Sequence, residues 1–174
     1  MAYTPWGQSD YSRKIACGII SYSTPRHGGI HVSPDRLKTM PDYLRNDSGW
    51  YEEDCEWCKV AIAFPEYFQK EIESAKETLK HWLPDEYERH FNVKLQPGES
   101  HTRDEQLFNI ANVNNYIVTC AWGDWKEDIP KGMVGVAAHK QSDDTIKYFL
   151  VDESRYTQPY VINLLLDKEI PEIK

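Results

Sequence analysis

Two hydrophobic periods alternate along this chain, and the places where one gives way to the other predict its elements. From Lys14 to Tyr22, KIACGIISY is rich in β-branched and small apolar residues and reads as a strand. STPRHGG (23–29) carries turn chemistry, and IHVS (30–33) reads as a second, short strand. Pro34 with DRLKTMPDYLR predicts a helical turn or two, interrupted at Pro41. The middle is helical in period. Asn46, Asp47 and Ser48 are capping residues, and Glu52, Glu53 and Asp54 crowd the turn that follows, where a helix dipole favours acids. A helix is therefore predicted from about Trp50 to Phe64. A second, starting near Pro65, places Phe68, Ile72, Ala75, Leu79 and Trp82 on one stripe. Pro84 ends it and opens a short helix over PDEYERHFN, and TRDEQLFNIAN reads as one further helix.

After residue 114 the pattern returns to β type. NYIVTCAW, MVGVAAHK and IKYFLVD are three strands separated by GDWKEDIPKG and QSDDT. The closing PYVINLLLDKEI reads as a last helix, with an edge strand as the alternative. Two strands, helices and three strands make an α+β domain. Its expected sheet is mostly antiparallel, has about five strands, and packs against a central helical segment as a single domain over 1–174.

Composition narrows the function classes. Of 174 residues 40% are apolar and 13% aromatic, ample for a packed core and against disorder. The longest apolar run, Val60 to Phe64, is far short of the ~20 residues that span a bilayer, so no membrane partner is expected. MAYTPWGQSD has neither the basic nor the apolar region of a signal peptide. The cytoplasm is thus the expected compartment, where Cys17, Cys55, Cys58 and Cys120 stay reduced. The net charge of −8 is uneven: the first 49 residues hold six basic and four acidic side chains, so the acidic excess lies beyond them. Such a body repels phosphate backbones and suits a basic protein surface, which argues against direct nucleic-acid binding.

Four constellations bear on chemistry. His27 and His31 have metal-ligand spacing only on a helix. Gly28 and Gly29 oppose a helix, and on a strand the two would stand ~13 Å apart at ~3.3 Å per residue. His27, beside glycines that let a backbone or ligand approach closely, is the residue of interest. WYEEDCEW (50–57) gathers Glu52, Glu53, Asp54 and Glu56, which either complement a helix terminus or place a carboxylate beside a histidine. Cys55 and Cys58 form C-x-x-C, but the preceding acids blunt thiolate formation and no second pair completes a zinc set, so buried structural thiols are expected. AWGDWKED (121–128) offers Trp122, Asp124, Trp125, Glu127 and Asp128 as an aromatic and acidic contact loop. No nucleophile elbow, phosphate-binding loop or dinucleotide fingerprint is present.

Taken together, YTPWG (3–7), GIISYSTPRHGGIHVS (18–33), GWYEEDCEW (49–57) and IPKGMVGVAAHK with YFLVDESRY (within 129–156) resemble an uncharacterised family of small proteins borne by phages and plasmids. The second motif usually reads STPSHGG there, so Arg26 stands where serine is common, which weakens a hydroxyl nucleophile at that position. The resemblance implies a genetic context and no reaction.

Two readings of function follow. In the first, the chain is a non-enzymatic accessory protein that binds a host protein and inhibits a defence or nucleic-acid-processing factor. Arg26, Gly28, Gly29, Trp122, Asp124, Trp125, Glu127 and Asp128 would form its contacts, with no cofactor and no metal. In the second, it is a hydrolase or transferase with His27 as general acid/base, oriented by Glu52, Glu53 or Asp54, and with the Gly28–Gly29 backbone receiving an oxyanion or phosphate. A purely structural role for the same motifs is the third possibility. Geometrically, STPRHGG is expected to join the first two strands antiparallel and to pack on the N-terminal end of the helix near Trp50. His27 is then expected within about 8 Å of the Glu52–Asp54 carboxylates, the limit for even a water-bridged contact.

Overall fold

The computed structural model describes residues 2–173. The chain divides after Glu105 into two compact units, each with its own hydrophobic cluster.

In the first unit a short ribbon, β1 (Tyr3–Thr4) and β2 (Gly7–Gln8), precedes a four-stranded antiparallel sheet. The sheet order follows the sequence: β3 (Tyr11–Ala16), β4 (Ile19–Ser23), β5 (Gly28–Val32) and β6 (Trp50–Glu52). The stretch 14–22, predicted as one strand, is a hairpin. Gly18 at φ +77° takes the left-handed conformation that turns the chain, and the register shifts between Lys14 and Ala16. STPRHGG does join two antiparallel strands, β4 and β5, with Ser23 opposite Gly28 and Tyr22 opposite Gly29.

The helix expected from Trp50 is corrected more deeply. Trp50, Tyr51 and Glu52 pair antiparallel with His31, Ile30 and Gly29, and the helix α2 begins only at Trp57 (Trp57–Ala63). The physical reason is burial. The Tyr51 side chain is fully buried, its hydroxyl donating to the Leu44 carbonyl at 3.1 Å and accepting the Asn46 amide, while the free edge of β5 gains a partner. The acids 52–54 therefore lie at a strand end and turn, not at a helix terminus.

Short α1 (Pro34–Leu37) leads to the β6 entry, and α3 (Ile72–Trp82) and α4 (Pro84–Phe91) follow α2. The expected second helix starts later than Pro65, which opens a 3-10 turn to Tyr67 instead. Its stripe holds at Phe68, Ala75 and Leu79, all buried, but Trp82 at the last helical position is 58% exposed. Asn92 closes α4 at φ 52°. The core gathers Ile19, Ile30, Val32, Tyr51, Val60 and Leu79 among others. Each such aliphatic side chain contributes about 1.5–3 kcal/mol when fully buried. The helix expected over TRDEQLFNIAN is present as α5 (His101–Ala111), which crosses the division between units.

The second unit holds an antiparallel sheet ordered β10 (Lys168–Ile170), β9 (Thr145–Asp152), β8 (Met133–Lys140), β7 (Ile117–Trp122). Val134, Val136, Ala138, Phe149, Val151 and Ile162 fill its core. The segment 159–170 was expected to be helical, with an edge strand as the alternative. Turns and the edge strand β10 form instead. The buried Asp167 carboxylate accepts Asn163 N–H at 2.8 Å, Arg155 Nη2 at 2.7 Å and the Tyr160 hydroxyl at 3.1 Å, which folds the segment back on itself. Leu164, Leu165 and Leu166 are left exposed.

The class is α+β with antiparallel pairing throughout the named sheets. No helix among the described residues is long and apolar enough to cross a membrane.

Candidate functional site

The STPRHGG turn is built on Thr24. Its buried hydroxyl accepts the amides of Arg26 (3.4 Å) and His27 (3.2 Å) and donates to the His27 carbonyl at 2.7 Å. The Thr24 amide donates to that same carbonyl. Pro25 has its φ fixed by its ring and no amide to satisfy, so the chain reverses and leaves Arg26 and His27 exposed at the tip. Gly28 then opens β5.

On the other side of β5, Gly29 pairs with Glu52, and the Glu53 amide donates to the Gly28 carbonyl at 3.1 Å. The pairing thus continues one residue past β6 and brings Glu52 and Glu53 beside His27. One ligand atom each from His27, Glu52 and Glu53 lies within 4.8 Å of the others. Asp54 is outside this group; its amide instead donates to Glu52 Oε2 at 2.8 Å. The other Glu52 oxygen, Oε1, is buried and has no hydrogen-bond partner. Among the described residues, neither Glu52 nor Glu53 belongs to an ion pair.

Both glycines are explained by close approach. A β-carbon on Gly28 would overlap Glu53 Oε2, and one on Gly29 would overlap the Trp6 ring and the Tyr51 carbonyl. Trp6 meets Trp50 edge to face (5.8 Å between centroids), and Trp50 also contacts the rings of Tyr22 (5.3 Å) and His31 (4.5 Å). The three N-terminal sequence motifs, far apart in the chain, therefore meet at one point. Trp6 is the member that residue-by-residue reading left without a role. An aromatic beside a glycine pair was the available signal, but it has no fixed spacing.

Glu53 also borders a cavity of about 200 Å³ lined by Arg13, Ser21, Gly29, Trp57 and Phe68 among others. Across the sheet, His31 lies within β5, and burial lowers its pKa. Of the C-x-x-C pair, Cys58 is buried and Cys55 only half-buried. Burial pushes Cys58 up to about 12, and burial with the nearby Glu52, Glu56 and Asp54 raises Cys55. Cys17 lies in the Gly18 turn rather than in a strand, exposed, and Cys120 is exposed on β7.

The contact-loop residues lie in the second unit. Trp125 is 78% exposed, with its ring against Gly123. Trp122 is half-buried under Lys126, whose Nζ stands 5.5 Å from the ring centroid. Asp124 accepts the Gly132 amide at 3.4 Å, and Glu127 and Asp128 are exposed.

Neither a curated protein nor a solved structure matches the chain. A family model does, over residues 1–113, a stretch that includes the whole Trp6, His27, Glu52 and Glu53 arrangement. The chain belongs to that family, the domain of unknown function DUF7007.

Proposed function

We propose that the first unit carries a chemical site, and that the chain is a phage- or plasmid-borne accessory enzyme of the hydrolase or transferase class. One observation carries this reading: His27, Glu52 and Glu53 reach within 4.8 Å of one another at a turn tip, from strands whose register forces the approach. Imidazole both takes and gives a proton near neutral pH, and a neighbouring carboxylate orients it and stabilises its charged form. The cavity bordered by Glu53 supplies room for a small substrate that reaches one of these carboxylates.

The test is a panel of chromogenic esters, phosphomonoesters, phosphodiesters and peptides, run on the native protein, His27→Ala and Glu53→Gln. Turnover that falls about 100-fold or more in His27→Ala, in step with the usual contribution of a general acid/base, supports the reading if melting is unchanged. Turnover equal in all three proteins, or none on any class, ends it.

A second reading is favoured by Trp125. An indole 78% exposed and flanked by Asp124, Glu127 and Asp128 suits a basic host-protein surface, where Trp anchors and acids steer. Here the chain inhibits a host defence or nucleic-acid-processing factor without chemistry. Recovery of one host protein from lysate, lost on Trp125→Ala and on charge reversal of the three acids, supports it. Capture indifferent to both changes removes it.

A further inference from the structure

We infer that His27, Glu52 and Glu53 are a three-ligand site for a first-row divalent cation, Zn²⁺ or Mn²⁺. The inference rests on the reading of this cluster as the functional centre and assigns its cofactor.

Three features point to a cation. One ligand atom from each residue lies within 4.8 Å of the others, against roughly 3.4 Å between neighbouring ligands at ~2.1 Å around a tetrahedral ion. His27 and Glu53 are exposed, so rotations of about an ångström close that gap without disturbing the core. Second, Glu52 Oε1 is buried with no donor, while Oε2 is held by the Asp54 amide. A buried carboxylate oxygen without a donor is costly, and a cation taken up through Oε1 would relieve that cost. Third, no ion pair engages either glutamate among the described residues, so a metal would not have to displace a lysine or arginine. Gly28 fits the same picture, because only a residue without a β-carbon lets the Glu53 carboxylate lie there.

The donor set selects the metal. One imidazole nitrogen with two carboxylate oxygens is mixed: harder than the thiolate sets of structural zinc, softer than the all-oxygen shells of Mg²⁺ and Ca²⁺. Three protein ligands leave at least one position open, the arrangement of catalytic rather than structural sites. A bound ion would supply a water acidified enough to act as nucleophile. With its nitrogen on the metal, His27 would be a ligand and not the free base.

Calorimetric titration of the full chain, stripped with chelator, with ZnCl₂, MnCl₂ and MgCl₂ separately tests this. Zn²⁺ or Mn²⁺ should bind one per chain, with Mg²⁺ at least tenfold weaker. His27→Ala, Glu52→Gln and Glu53→Gln should each weaken binding at least tenfold. Gly28→Ala, which keeps every ligand but crowds the Glu53 carboxylate and the Tyr22 carbonyl, should weaken it too. Circular dichroism of the metal-free variants guards against unfolding, and the native titration stands whatever they do. No saturable binding of Zn²⁺ or Mn²⁺, or binding unchanged across the ligand variants, overturns the site. Metal binding without turnover upholds this inference while the enzyme reading fails. Turnover by stripped protein that is lost in His27→Ala does the reverse.

Discussion

Trp6 packs onto Gly29 so closely that a β-carbon there would overlap its ring. The ribbon that carries Trp6 thereby clamps β5, the strand that begins directly after His27. Gly29→Ala should destabilise the protein by about 1–3 kcal/mol, the usual penalty of overpacking, measured by denaturant unfolding. In a Trp6→Ala background the penalty should shrink but persist, since the Tyr51 carbonyl also occupies the space. Equal penalties in both backgrounds would show that Trp6 is not the obstacle.

A pH effect follows from two histidines in the first unit. Burial lowers the pKa of both His31 and His90 from the ordinary 6.5. Between the lowered values and 6.5 the unfolded chain binds more protons than the folded one, so stability is full above 6.5 and falls as pH drops through that window. A neutral His90 accepts the Tyr43 hydroxyl at Nδ1 (3.0 Å), a bond that protonation forces to reverse. Melting temperature should decline from pH 7 to 5.5, and His90→Gln should flatten the decline. Glu88 acts lower. Its bonds to Lys94 and the Leu95 amide hold its carboxyl below 4.5, so its loss begins only near that pH.

Thiol reactivity should rank by exposure. Iodoacetamide at pH 8 should label Cys17 and Cys120 first, Cys55 slowly, and Cys58 only on unfolding, since its thiol is buried and pushed up to about 12. Peptide mass spectrometry over a time course reads the order. Early labelling of Cys58 would mean that α2 opens readily.

In the second unit, Asp167→Asn should destabilise far more than Asp143→Asn. Asp167 is buried and bonded by Arg155, Tyr160 and the Asn163 amide, whereas Asp143 pairs with Lys140 at the surface. Thermal melts of the two variants compare them directly.

Much of this was legible in the sequence. MVGVAAHK is β8 residue for residue, and Pro84 marks the start of α4. The α+β class followed from the order of periods. What failed was the stretch from Trp50, where capping residues and three acids imitate a helix start. The decision lay with a distant partner, the open edge of β5, and local pattern cannot register a distant partner. The site was half legible for the same reason. His27 and the acids stood out by chemistry, and their approach within 4.8 Å vindicates the expected proximity for Glu52 and Glu53. The reason for it is the Gly29–Glu52 register, and the exclusion of Asp54 is likewise a matter of strand pairing.

The two hydrophobic clusters have no side chain in common, and the family model, ending at residue 113, takes in all of the first and none of the sheet around the second. A core truncation such as Val60→Ala or Val136→Ala therefore opens its cavity in one cluster and takes no member from the other.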